Sequence, residues 1–247
     1  MEILKYMLIF IPISFIAKFL NASDSVMFIL SCLSIIPLAG LMGEGTEEIS
    51  FYSGPKIGGF LNGTFGNATE LIISFFALKE GLFDVVKSSI AGAVIGNILL
   101  VIGASMLAGG LKYKTQKFNQ KVSEVSSSML LFAVLGLCIP ALFTHTVDPK
   151  LLNTRYEGLS IFVAVVMIVI YALSLFFSFS THKHIYNNND EHEGSAKWSL
   201  KKAISILVIS TILIAIESEF LVNGIEPITE SLGWSQFFVG IILIPII

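Results

Sequence analysis

Glu70 is the residue of this chain whose presence most needs a chemical reason. It lies in the run Gly66-Asn67-Ala68-Thr69-Glu70-Leu71-Ile72, inside a stretch that otherwise reads as a membrane span. A carboxylate near the centre of a bilayer costs at least ~2.5 kcal/mol even on lenient insertion scales, so such residues face protein or a polar cavity and mark ion and proton pathways. At a helical period Gly63, Gly66, Asn67, Glu70 and Ser74 fall on one face. Small residues there allow close helix approach, and the oxygen-bearing side chains suit a hard cation and a proton. The plainer reading of Glu70 is a carboxyl that stays protonated between helices. Asn67-Ala68-Thr69 also spells a glycosylation acceptor, but that modification needs a surface loop and this tripeptide lies within a span.

The elements that must hold Glu70 follow from composition. Of the 247 residues 54% are hydrophobic, 13% are charged, and the mean hydropathy is +0.83. These values describe an all-α polytopic membrane protein, and a net charge of -3 gives no reason to expect a nucleic-acid partner. Cys32 and Cys138 both sit in apolar runs, with no disulfide framework and no thiolate spacing for a metal. A span needs ~20 mostly apolar residues. Eight runs are candidates: 4–20, 25–41, 60–78, 85–107, 126–143, 159–179, 203–222 and 235–247. The first is read as a retained helix rather than a leader, because Lys18 interrupts its end and no small-residue cleavage site follows.

With the N-terminus inside, ten Lys residues fall on the inner side. Lys18, Lys79, Lys87, Lys150 and Arg155 fall outside, so the bias puts the N-terminus and the 180–202 segment in the cytoplasm. A weak internal repeat is also visible. Glu44-Gly45-Thr46-Glu47-Glu48-Ile49-Ser50 follows the second run and Asn223-Gly224-Ile225-Glu226-Pro227-Ile228-Thr229 follows the seventh, each leading into a glycine-containing span. Copies five spans apart are inverted relative to each other, as in many secondary transporters. The chain ends within the apolar run 237–247, so the expectation is a fragment whose second repeat is truncated just before its own copy of the Glu70 motif.

Three stretches together resemble a known family. Asn62-Gly63-Thr64-Phe65-Gly66-Asn67-Ala68-Thr69-Glu70-Leu71-Ile72 is similar to the first alpha-repeat of the calcium/proton exchangers, the CAX branch of the cation/calcium antiporters. Leu41-Met42-Gly43-Glu44-Gly45-Thr46-Glu47-Glu48 before it, and Gly92-Ala93-Val94-Ile95-Gly96-Asn97-Ile98-Leu99-Leu100-Val101-Ile102-Gly103 after it, fit the same family. The resemblance implies an inverted-repeat antiporter fold: a leading helix over 1–22, a first five-helix repeat over 23–179, an acidic cytoplasmic loop over 180–202, and the start of a truncated second repeat over 203–247. It implies exchange of calcium for protons by alternating access, with calcium as transported substrate and no organic cofactor. Glu70 then holds calcium or a proton in turn and is the metal-binding carboxylate. Asn67 and Thr69 line its site, and Asn97 is a further ligand or interhelical glue. Glu47 stands at the cytoplasmic approach, and Glu226, opposite it in the repeat, ranks above Glu217 and Glu219. The partners are calcium ions, protons and the lipid bilayer of the cell membrane, and homo-oligomerisation is left open.

The rivals are a sodium-coupled cation/calcium exchanger of the same superfamily, an intramembrane enzyme, and a membrane scaffold that transports nothing. No H-E-x-x-H or G-x-S-x-G pattern supports the enzyme. Gly92, Gly96 and Gly103 also fit an ordinary helix-packing stripe. Glu44, Glu47 and Glu48 also fit a solvated membrane edge. The segment from His182 to Glu193 reads as a solvated loop or as a weak regulatory cation site without EF-hand spacing.

Overall fold

The computed structural model describes residues 2–146, 157–182 and 195–247. The chain divides into two compact units, residues 1–114 with 195–247, and residues 115–194. The first unit holds α1 (Glu2–Met7), α2 (Phe10–Phe19), α3 (Asp24–Phe65), α4 (Ala68–Lys79), α5 (Phe83–Gly96), a π-helical turn (Asn97–Val101) and α6 (Ile102–Lys112). Its second stretch holds α7 (Leu200–Asn223), α8 (Ile225–Leu232), α9 (Gln236–Phe238), a π-helical turn (Val239–Leu243) and α10 (Ile244–Ile246). The other unit is α11 (Gln120–Thr146) and α12 (Glu157–Phe176), the latter running into a π-helical turn (Phe177–Thr181). Within it, α11 comes close to α12 at Gly136, where a Cβ would lie 2.8 Å from Met167 Sδ.

Among the described residues, five stretches are long and apolar enough to span a membrane: Asp24–Gly54, Phe83–Lys112, Gln120–Phe143, Glu157–Thr181 and Leu200–Asn223. Their exposed Leu, Ile, Val and Phe side chains are what a bilayer solvates. Every backbone polar group at that depth must be satisfied internally, which is why the spans are helical.

Three of the eight apolar runs differ from the sequence expectation. The run 4–20 is split between α1 and α2. The run 60–78 is not one helix: α3 continues to Phe65, the chain breaks at Gly66 and Asn67, and α4 starts at Ala68. The terminal run 235–247 is also irregular, and Ile225–Leu232 meets Gln236–Ile246 at a bend of 117°. The polar connector expected over 42–59 is helix instead. Glu44 to Ser53 contains no residue that stops a helix, so α3 runs unbroken to Gly54, where φ is +79° and ψ is 169°. The Asp24–Gly54 limb has 31 residues and so measures ~46 Å, longer than a ~30 Å hydrocarbon core.

The conformation at Gly54 is essentially closed to residues with a Cβ. A Cβ there would meet no neighbour within 4 Å, so the cost of substitution is backbone strain alone. Gly54→Ala is expected to lower stability by ~1–3 kcal/mol, read as a lower thermal unfolding midpoint in detergent. An unchanged midpoint would show that the kink is not held in this geometry.

The long antiparallel pair α3–α7 is the spine of the first unit. At one end Gly224 lies against α3, where a Cβ would come within 2.6 Å of Asp24 O. At the other end Gly45 faces the Ala203 carbonyl, 3.3 Å from where its Cβ would be. Between them, Ile35, Leu221 and Val222 join one buried apolar cluster with Ile73 and Ala77 of α4, while Leu38 and Ile214 join a second. α4 is thereby anchored beside α7, and the start of α4 carries Glu70.

Candidate cation and proton site

The break between α3 and α4 decides the local geometry of Glu70. Gly66 keeps helical dihedrals, but Asn67 has φ -121° and ψ 14° and its side chain does not cap α4. Glu70 therefore lies in the first turn of α4 rather than in the middle of a continuous helix. The expected single face through Gly63, Gly66, Asn67, Glu70 and Ser74 is interrupted after Phe65. The interruption has a chemical use. The free amides at a helix start carry partial positive charge and stabilise an anion in the first turn. A helix break also frees terminal carbonyls that can act as oxygen ligands; here Asn62 O and Thr64 O accept the N–H groups of Gly66 and Asn67. The Asn67 amide nitrogen donates a weak 3.4 Å hydrogen bond to Gly63 O, which leaves its Oδ1 free to accept a cation.

Glu70 is half-buried and, among the described residues, makes no hydrogen bond or ion pair. Thr69 is buried at 7% exposure on the α4 stripe that includes Ile73 and Ala77. It sits about 100° round the helix from Glu70. Glu70 shares its stripe with Ser74, and Ser74 Oγ lies 3.4 Å from Ser89 Oγ of α5. That contact sets the register of the antiparallel α4–α5 pair. One turn back from Ser74 is Glu70, and one turn on from Ser89 is Ala93, so Glu70 lies level with Ala93 and Asn67 lies near Gly96 and Asn97. Asn97 is exposed and opens the π-helical turn that follows α5, a distortion often found at functional sites. The structure thus sets Asn67, Glu70 and Asn97 within about one turn of a common level and makes no direct hydrogen bond between them.

Close backbone packing holds this level. Ser88, Ser89 and Gly92 are the buried small residues of α5. A Cβ on Gly92 would lie 2.4 Å from Ile241 O, so α5 and the Val239–Leu243 turn meet backbone to backbone. Of the glycines expected to pack, Gly92 makes this close contact, Gly96 lies at an ordinary 3.8 Å from Pro245 Cβ, and Gly103 meets nothing within 4 Å.

The acidic residues expected at the approach separate. Glu47 is exposed on α3, and Glu226 is exposed in the first turn of α8. Glu48 is not part of a solvated edge. It is 4% exposed, and its Oε2 accepts the backbone N–H groups of Lys197 and Trp198 at 2.8 and 2.9 Å. The Tyr52 hydroxyl donates to Trp198 O at 2.6 Å, so α3 grips the segment leading into α7. Glu48→Ala leaves two amides without their acceptor and is expected to cost ~1–3 kcal/mol. The readouts are a lower unfolding midpoint and faster proteolysis near 195–199, and wild-type resistance would refute the anchor. Asp190, Glu191, Glu193, His184 and His192, named with the 180–202 loop, lie outside the described residues.

Sequence reasoning left Glu217 without a role. The structure buries it completely, against Ser14 of α2. Ser31, Ser34, Ser210 and Ser218 of α3 and α7 are buried as well, and hydroxyls recurring along these apolar helices are the sequence signal that could have marked a polar interior.

Comparison with known proteins accords with this geometry. A family described as sodium/calcium exchanger protein matches residues 24–180. The chain is 44% identical over 256 residues to the Ca(2+)/H(+) antiporter of Aphanothece halophytica, an alignment covering 98% of this chain and 68% of that protein. It is 42% identical over 242 residues to the Ca(2+)/H(+) antiporter ChaA of Bacillus subtilis (strain 168), covering 96% and 68%. The solved structure of native YfkE superposes with a TM-score of 0.79 at 38% identity, covering 96% of this chain and 65% of that one. The chain therefore spans about two thirds of the length of these relatives.

Proposed function

This chain belongs to the sodium/calcium exchanger protein family, and from that premise we propose that it works as a secondary transporter exchanging calcium for protons. It is a multi-pass membrane protein. In this reading the N-terminus is cytoplasmic, the membrane is the cell membrane, and the partners are the two ions and the surrounding lipid. The observation that carries the reading is Glu70, a half-buried carboxylate with no partner among the described residues, in the first turn of a helix that follows a break inside an apolar run.

Calcium takes six to eight oxygens in a flexible shell. Glu70 supplies charge, while Asn67, Asn97 and the carbonyls of the broken turn supply neutral oxygens. One carboxylate cannot hold calcium and a proton together, so the two compete, and that competition couples their movements. Access alternates when the helix groups around the site rock against one another, which glycine contacts such as those at Gly92 and Gly224 permit. Glu47 and Glu226 draw cations toward the site from the exposed surface.

The test is calcium uptake into vesicles carrying the full-length protein, under an imposed pH gradient and separately under a sodium gradient. Uptake is expected with the pH gradient and not with sodium alone. Uptake that requires sodium would favour the sodium-coupled alternative, and no uptake under either gradient would reject transport.

A further inference from the structure

Glu217 is a second intramembrane carboxyl with no part in the mechanism above. It is 0% exposed, on the α7 face that packs against α3 and α2, about ten ångströms from the C-terminal end of its helix. Its Oε1 is in hydrogen-bond contact with Ser14 Oγ of α2. Ser14 Oγ is also 2.7 Å from Ile11 O. A serine hydroxyl carries one hydrogen, and a backbone carbonyl carries none to give. Two two-centre hydrogen bonds along the line Ile11 O, Ser14 Oγ, Glu217 Oε1 need two protons, and Ser14 supplies one of them. The second belongs to the carboxyl.

We propose that Glu217 is a second proton-binding site of this protein, holding a proton on Oε1 that it donates to Ser14, while Ser14 donates to Ile11 O. The bound proton makes a neutral latch that fastens α2 onto the α3–α7 pair. Charge points the same way. Among the described residues no cation pairs with Glu217, and burying an ionised carboxylate without one is costly. Oε2 has no hydrogen-bond partner, nor does the hydroxyl of Ser31, which faces the same carboxyl from α3.

The other charged groups nearby do not compete for this role. On α2, Lys18 lies 5.2 Å from the centre of the Phe220 ring. Glu219 on α7 and Glu226 and Glu230 on α8 are exposed. α3 brings Asp24 at its exposed start and the half-buried Cys32. α4 brings Glu70 in its first turn and Lys79 in its last.

The latch is closed while the proton is bound and opens as rising pH removes it, since deprotonation takes away the donor and leaves a buried charge between three helices. The test uses the full-length protein in lipid. Infrared spectra should contain a protonated-carboxyl carbonyl band that is lost in Glu217→Gln and retained in Glu70→Gln. Ser14→Ala should keep the band but move it to higher wavenumber, because the acid has lost its acceptor. The unfolding midpoint of the wild type should fall from neutral to alkaline buffer, and that fall should be absent in Glu217→Gln, where the amide keeps a donor at every pH. No band lost on Glu217→Gln in the Glu70→Gln background, a lost band unmoved by Ser14→Ala, or equal alkaline shifts in wild type and Glu217→Gln would each overturn the proposal. None of these readouts depends on calcium transport, so failure here and failure of the exchange reading remain distinguishable.

Discussion

Glu70→Gln is expected to abolish proton-driven calcium uptake while leaving the protein folded. Glutamine keeps the size and hydrogen-bonding capacity of glutamate but has neither the charge that calcium needs nor the proton it exchanges. Oxygen-ligand sites tune calcium affinity over decades through ligand charge and site rigidity, so loss of the carboxylate is expected to weaken binding on the order of 100-fold or more. Stability should hardly change, because among the described residues Glu70 makes no hydrogen bond or ion pair that the substitution could break. The measurements are calcium flux in vesicles under a pH gradient and the unfolding midpoint of the same preparation. Undiminished flux in a folded variant would remove Glu70 from the centre of the mechanism.

Gly92→Val is expected to lower both stability and transport. The added Cβ alone would lie 2.4 Å from Ile241 O and 2.8 Å from Ile241 C and Cα. These are backbone atoms, which cannot swing aside as a flexible side chain can, so α5 and the Val239–Leu243 turn must separate. Overpacking of this kind typically costs ~1–3 kcal/mol, occasionally more. The damage should reach the site, because α5 carries Ser89 against Ser74 and Asn97 one turn beyond the level of Glu70. A lower unfolding midpoint together with at least a roughly tenfold loss of calcium uptake is expected. Gly103→Ala is the control: a Cβ at Gly103 meets nothing within 4 Å, and the variant should behave as wild type. Wild-type melting of Gly92→Val would mean that the two backbones are not in contact.

The difference between those two glycines was not legible in the sequence, where Gly92, Gly96 and Gly103 form one stripe. Spacing alone says that each could meet a neighbouring helix and does not say which one does. The acids divide in the same way. Glu47 and Glu48 are adjacent, yet one is exposed and the other is buried on the amides of Lys197 and Trp198. Glu217 and Glu219 are two residues apart, one wholly buried and one exposed.

What the chain determined by itself is whatever a local energy decides. Apolar runs of span length must be helical in lipid, and the cost of a carboxylate in such a run marks Glu70 without reference to any neighbour. Its motif with Asn67 and Thr69 carries the family with it. What tertiary structure decided is where one helix covers another. Along the acidic stretch of α3, burial falls on Thr46, Glu48 and Ile49 while Glu47 stays exposed, a division set by what packs over that face. The chain breaks at Gly66 and Asn67, where helical spacing alone predicted a continuous face. Burial of Glu217 follows from α2 and α3 closing over one side of α7, a long-range contact that no property of residues 214–220 encodes alone.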